Sequence, residues 1–151
     1  MAVVTDFMAE ALKLASQAMA AGEVPVGAVI VSAAGDIIAG SENRMQRDND
    51  ATAHAEILAI RQAISVLGTS RLMGCDLWVT LEPCAMCAGA ISHARIRRLY
   101  FAASDEKGGA VEHGPCLFSQ STIHHKPDLF GGISEAPAAQ LLRTFFATKR
   151  G

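Results

Sequence analysis

A three-layer α/β sandwich with a mixed sheet is the fold this sequence predicts, on three observations. Stretches with a helical period alternate with Val- and Ile-rich runs, the first two such runs lie close enough to form a hairpin, and the centre of the chain reads β-α-β. With 151 residues, half of them hydrophobic and 19% charged, the chain has the length and composition of one compact domain, expected over residues 1–151.

Phe7, Ala11, Leu14, Ala15 and Ala18 recur at helical spacing until Gly22 and Pro25, so the first helix is expected over roughly 5–21. "VPVGAVIVSAAGDIIAGSEN" holds two Val/Ile-rich runs separated by "SAAGD", the pattern of a β-hairpin. A polar loop, "NRMQRDND", leads into "TAHAEILAIR". There Thr52 is the candidate N-cap, and Ile57, Ile60, Ile64 and Leu67 carry a helix over about 53–67 that Gly68 stops. "DLWVTL" is a strand, "PCAMCAGAISHA" a helix opened by its proline, and "IRRLYFAA" a strand again. A Gly-rich loop, "SDEKGGAVEHG", follows, and no period organises Cys116 to Ile133. "SEAPAAQLLRTFFATKR" closes the chain as a helix with Ser134 as N-cap and Pro137 tolerated in its first turn.

The formal net charge of −2 excludes a uniformly basic nucleic-acid binder and leaves room for a local basic patch. No run of eighteen apolar residues is present, and "MAVVTDFMAEALK" has neither a basic leader nor a long apolar core. A soluble, cytoplasmic protein without membrane contact is expected. Of the four cysteines, Cys75, Cys84, Cys87 and Cys116, two stand three apart, a spacing that suggests metal or redox chemistry before disulfides.

Cys84 and Cys87 fall at the start of the third predicted helix, where an i, i+3 pair presents both sulfurs on one face to a single ion. His54 and Glu56, at the start of the second, would lie about 200° apart on an ideal helix, so a shared packing role does not explain them. One imidazole and two thiolates make three ligands, and an open fourth position is the catalytic arrangement of zinc. Helix N-termini favour thiolate over thiol. Glu56, adjacent to the ligands and not itself one, is placed to take a proton from activated water and deliver it to a ring nitrogen and a departing amine. That chemistry is hydrolytic deamination.

"HAE" and "PCAMC" match the signature H-x-E…P-C-x-x-C of zinc nucleobase deaminases. With "EVPVGAVIV", "ENR", "TAHAEILAIRQA", "LWVTLEPCAMCAGAISHARIRRLYF" and "SDEKGGAVEHG" in that order, residues from about 5 to 150 resemble the bacterial tRNA-specific adenosine deaminases. The resemblance implies a cytidine deaminase-like α/β/α sandwich with a central mixed five-stranded sheet. It also implies a homodimer with one Zn2+ per subunit, converting adenosine to inosine at the wobble position of a tRNA anticodon stem-loop. Carried over, His54, Cys84 and Cys87 hold zinc, Glu56 shuttles protons, Asn43 hydrogen-bonds the flipped base, Asp105 lies near its ribose and phosphate, and Pro83 lies beside the departing ammonia. The segment "PCLFSQSTIHHKPDLF" resembles one branch of the family, and "TKRG" is shorter than the basic tail of some members, which leaves RNA contacts in this half open.

Other readings remain open at this level. A closed structural site would need a fourth ligand from Cys75, Cys116 or His93, although both cysteines suit buried apolar positions. Asn43 could be only a turn residue, and Gly108 and Gly109 would serve turn geometry. His124, His125 and Lys126 could meet phosphate, with His125 the substrate-side candidate, or form a solvated loop. Arg95, Arg97 and Arg98 alternate along a strand, so some must face an acidic group, a partner or an edge. Adjacent Phe145 and Phe146 cannot share one core face; one packs and the other could stack on a base or meet a second subunit, and Phe145 is carried as the substrate contact. A deaminase of free guanine or cytosine, and a non-catalytic zinc RNA-binding module, stand beside the tRNA reading.

Overall fold

The structure is a computed structural model that describes residues 6–150; position 5, the expected start of the first helix, lies outside the described residues, as does Gly151 of the short tail. Helix α1 (Phe7–Ala20) starts where the Asp6 carboxylate accepts from the Ala9 N–H, and it buries Met8, Ala11, Ala15 and Ala18. Strands β1 (Gly27–Val31) and β2 (Ile37–Glu42) form the expected hairpin, followed by helix α2 (Ala55–Leu67). Strand β3 (Asp76–Leu81), helix α3 (Ala85–Ala94) and strand β4 (Arg98–Ala103) make the central β-α-β unit, whose strands are parallel.

The stretch without a period contains a 3-10 turn at Leu117–Ser119 and a three-residue strand, β5 (Asp128–Phe130), parallel to β4. Helix α4 (Glu135–Arg150) follows. The sheet order is β2-β1-β3-β4-β5, with β1 antiparallel to both neighbours, so the five-stranded sheet is mixed as expected.

Helices α2 and α3 cover one face of the sheet, and α1 and α4 the other. Alternation along β3 and β4 separates the two cores: Leu77, Val79, Leu99 and Phe101 join Ile60 and Ile91 on the α2/α3 side, while Trp78, Tyr100 and Ala102 meet Met8 and Ala138. Parallel register places Trp78 opposite Tyr100 and Tyr100 opposite Phe130, so their rings stack in a row at 3.8 and 4.8 Å between centroids.

Four expectations need correction. Thr52 does not cap α2; it bonds the Asp50 carboxylate, and His54 occupies the cap position. Pro83 precedes α3 and leaves the cap position to Cys84. Ser134 has φ of 58°, outside the extended conformation of an N-cap. Arg95 is the left-handed C-cap of α3, so the arginines do not alternate along one strand; Arg97 turns to Asp76 in a bidentate pair at 3.0 and 3.1 Å. Gly68 ends α2 in the left-handed conformation, as expected.

Candidate metal centre and active site

Because β1 is antiparallel to β2 and β3, and β3 is parallel to β4, the strands β2, β3 and β4 all end at one rim of the sheet. The residues just past those ends are Asn43, Glu82 to Cys84, and Ser104 to Asp105. Asn43, His54, Glu56, Cys84 and Asp105 accordingly line one cavity of about 190 Å3, with Val26 and Leu81 among its apolar walls. That is below the roughly 300–1,000 Å3 of pockets for drug-sized ligands and suits a group the size of one base.

His54 and Cys84 are the N-cap residues of α2 and α3, and neither side chain caps its own helix. Each forgoes a contribution of about 0.5–2 kcal/mol. Burial of Leu77, Val79, Leu99 and Phe101, at about 1.5–3 kcal/mol each, outweighs that loss. The freed side chains converge: His54 Nδ1 lies 3.6 Å from Cys84 Sγ and 3.5 Å from Cys87 Sγ. Two ligands held at tetrahedral angle on zinc, at about 2.0–2.1 Å for nitrogen and 2.3 Å for sulfur, stand about 3.6 Å apart. The donor set and its spacing therefore fit zinc, and the three atoms lie within 4.8 Å of one another.

Among the described residues no fourth His, Cys, Asp or Glu joins this group. Cys75 is buried at the start of β3, His93 faces His124, and the Cys116 thiol points to the His113 carbonyl. The last of these is only half-buried, in a left-handed backbone conformation, and is not the enclosed apolar cysteine expected.

Glu56 shares the cavity with His54 because His54, at ψ of 151°, stands outside the helical geometry that would have set them on opposite sides. Burial pushes the Glu56 carboxyl up to about 7, with its own N–H opposing and the Cys84 thiolate adding to the rise. The Cys84 thiol is drawn down to about 4 by the Cys87 sulfur and by His54, while contact with Cys84 and burial push Cys87 up. His54 is raised by its bond to Cys84.

Asn43 is buried, and its Oδ1 accepts from the Met45 N–H, which leaves its amide N–H groups for a ligand. Asp105 accepts from the Lys107 and Gly108 N–H groups through Oδ1. Pro83 is buried, and its carbonyl accepts from Ala110 N–H. His125 does not line the cavity. Its N–H donates to Ser92 Oγ and its ring Nε2 to the Ile96 carbonyl, at the far end of a helix about 15 Å long. Through these two bonds His125 docks its loop on that end of α3. Phe145 is only 8% exposed and lies under the Lys149 ammonium, whereas Phe146 is 44% exposed beside Asp105 and Gly108. Phe145 lines a recess with Asn43 and Met45, and Phe146 presents its ring to the exterior.

Two buried carboxylates at the rim had no role in the sequence reading. Glu23 accepts from the Gln46 and Arg47 N–H groups and from Arg47 Nε, and Arg47 in turn donates to Glu42 and to the Asn43 carbonyl. Glu82 does the same for the loop beyond β4. Their signal was an acidic residue beside an apolar strand, in "GEVPV" and "TLEPC".

Residues 1–103 match the family model described as the cytidine and deoxycytidylate deaminase zinc-binding region. A curated tRNA-specific adenosine deaminase of Agrobacterium fabrum is 57% identical over 150 residues, covering 99% of this chain and 98% of that protein. A structure solved in studies of A-to-I editing by tRNA:A34 deaminases at the wobble position of transfer RNA is also 57% identical, covers 90% of this chain and 98% of its own, and superposes with a TM-score of 0.88. A guanine deaminase from Nitrosomonas europaea, 27% identical over 97% of this chain and 87% of its own, superposes with a TM-score of 0.80.

Proposed function

The chain belongs to the cytidine and deoxycytidylate deaminase family, and from that premise we propose that it deaminates adenosine to inosine hydrolytically at the wobble position of a tRNA anticodon. The observation that carries the chemistry is the set of His54 Nδ1 and the Cys84 and Cys87 sulfurs at zinc spacing, with the buried Glu56 carboxyl in the same cavity.

His54, Cys84 and Cys87 would hold the ion. Zinc supplies the acidification of a water molecule, lowering its pKa from about 16 to about 7. Glu56 takes a proton from that water and places it on a ring nitrogen of the purine as the water oxygen bonds to C6. It then takes the remaining proton from the hydroxyl added at C6 and delivers it to the leaving amine as the C6–N bond breaks, so that adenosine and water give inosine and ammonia. A carboxyl held near neutrality by burial is suited to both transfers.

Asn43 offers its amide to the base edge, the Asp105 carboxylate meets the ribose side of the target nucleotide, and Pro83 sits behind the departing ammonia. The cavity has room for a single base, so the wobble base is turned out of its loop to enter. The exposed Phe146 ring provides a face for a neighbouring base. The reading includes a cytoplasmic homodimer acting on the anticodon stem-loop as a single domain. It is supported by the likeness of the whole chain to curated tRNA-specific adenosine deaminases.

The test is inosine formation in an anticodon stem-loop with adenosine at the wobble position, run beside free guanine and cytosine. Inosine in the stem-loop is expected. Ammonia from the free bases alone would replace this reading with the free-base one, and no turnover of either at full zinc loading would leave the non-catalytic module.

A further inference from the structure

We propose that Glu82 is a positioning residue for the deamination, the buried carboxylate that gathers the loop from Asp105 to His113 and sets Asp105 against the cavity. The inference rests on the reading above, in which Asp105 meets the target nucleotide.

Glu82 follows β3 directly, and its own N–H is tied to the Ala103 carbonyl at the end of β4. Its side chain is fully buried. Oε1 accepts from the Asp105 N–H at 3.1 Å and from His113 Nδ1 at 2.8 Å. Oε2 accepts from the N–H groups of Val111, Glu112 and His113 at 3.0–3.2 Å. Five donors meet a group with about four lone-pair sites, so none is left for water or substrate.

This accounting separates the two glutamates of the cavity. Glu56 has only its own N–H and the Cys87 thiol as partners and is free to exchange a proton. Glu82 is saturated; burial raises its carboxyl, but the N–H groups of Asp105, Glu112 and Val111 and the His113 ring more than offset that, and it stays ionised. Its part in the reaction is therefore carried by what it holds. The loop is built around it: Gly109 approaches so closely that a Cβ would collide with the Glu82 carboxylate and with the Asp105 carbonyl. Gly109 thus serves close approach and does not adopt a positive φ. Asp105, pinned at its own N–H by Glu82, uses Oδ1 within the loop and keeps Oδ2 free.

Glu82→Gln replaces one acceptor oxygen with an N–H2 group facing N–H groups. For the anticodon stem-loop, KM is expected to rise about tenfold or more with kcat changed less than about threefold and zinc content unchanged. Amide exchange at Val111 to His113 should accelerate while α2 and α3 keep their protection. Asp105→Ala should raise KM similarly, and the double variant should be no worse than the larger single. Gly109→Ala, which pushes the loop off an intact Glu82, should give the same pattern and decides the matter if Glu82→Gln does not fold. Multiplying effects of Glu82→Gln, or of Gly109→Ala, with Asp105→Ala would overturn the proposal. So would unchanged amide exchange in the variants. Wild-type turnover of the stem-loop is the separate control: its failure sinks the deaminase reading, while the exchange data judge the hold of Glu82 on its loop.

Discussion

His54 and Cys84 are each the residue before the first turn of a helix, and their side chains meet at 3.6 Å where each would ordinarily fold back onto its own helix. The two helix starts are thereby joined through side chains that the helices themselves do not use. Whatever sits between those atoms links α2 to α3 and so bears on stability as well as chemistry.

Cys87→Ala therefore lowers zinc content and thermal stability together. The loss of metal affinity should exceed the about 10–100-fold typical of second-sphere changes, because a direct ligand is removed. Elemental analysis and a thermal melt on one sample check this; full metal occupancy in the variant contradicts the ligand assignment.

Glu56→Gln should keep zinc and fold while turnover falls about 10²- to 10⁴-fold. The carboxyl is buried and pushed up to about 7, so exchanging it for a neutral amide relieves a desolvation cost and stability holds or rises. Single-turnover kinetics beside a urea melt separate the two effects, and a variant that turns over at the wild-type rate removes Glu56 from the proton path.

Arg47→Ala should destabilise the protein by about 2 kcal/mol, less than a fully enclosed pair would lose, because 27% of the Arg47 side chain is exposed. The pKa of Glu23 is lowered: burial raises it, and the N–H groups of Gln46 and Arg47 with the guanidinium outweigh that. A lowered carboxyl stabilises the fold above its ordinary value of 4.5 and loses that contribution as pH falls through its lowered value. Without Arg47 the Glu23 value climbs back, so acid unfolding followed by circular dichroism should begin at a higher pH than in the wild type.

His113→Gln should cost stability in a pH-dependent way with the opposite sign. The Glu82 carboxylate raises the His113 value above its ordinary 6.5. The contribution of the charged pair is full below 6.5 and is lost as pH rises through the raised value. The difference in urea midpoint between wild type and variant should therefore shrink between about pH 5.5 and about pH 9, to what the neutral hydrogen bond contributes. A difference that grows with pH would contradict the pairing.

The cluster of His54, Cys84 and Cys87 beside Glu56 was legible in the sequence because these residues lie in two short runs whose spacing carries chemistry by itself. The α/β/α layering was legible because each helix and all but one strand is long enough to show its period. β5 was not, since three residues cannot display an alternation. The partners of Glu82 lie 23 to 31 residues away along the chain and those of Glu23 lie 23 or 24 away, so an acidic residue beside an apolar strand marks each position without revealing what it holds. The cap positions slipped because His54 and Cys84 take extended backbone without the usual capping side chain, leaving Thr52 and Pro83 as the more obvious choices. Which phenylalanine of α4 faces outward depends on how the helix is rotated against β4, which adjacency alone cannot set.

Trp78 is the chain's lone indole, and it is clasped between Phe7 and Tyr100 on the face turned away from α2 and α3. Ultraviolet emission from this protein therefore has a single dominant source, lodged where α1 and the sheet meet. It will register the parting of that layer during denaturation while staying nearly blind to what enters the cavity, a built-in gauge of intactness that does not compete with a substrate signal.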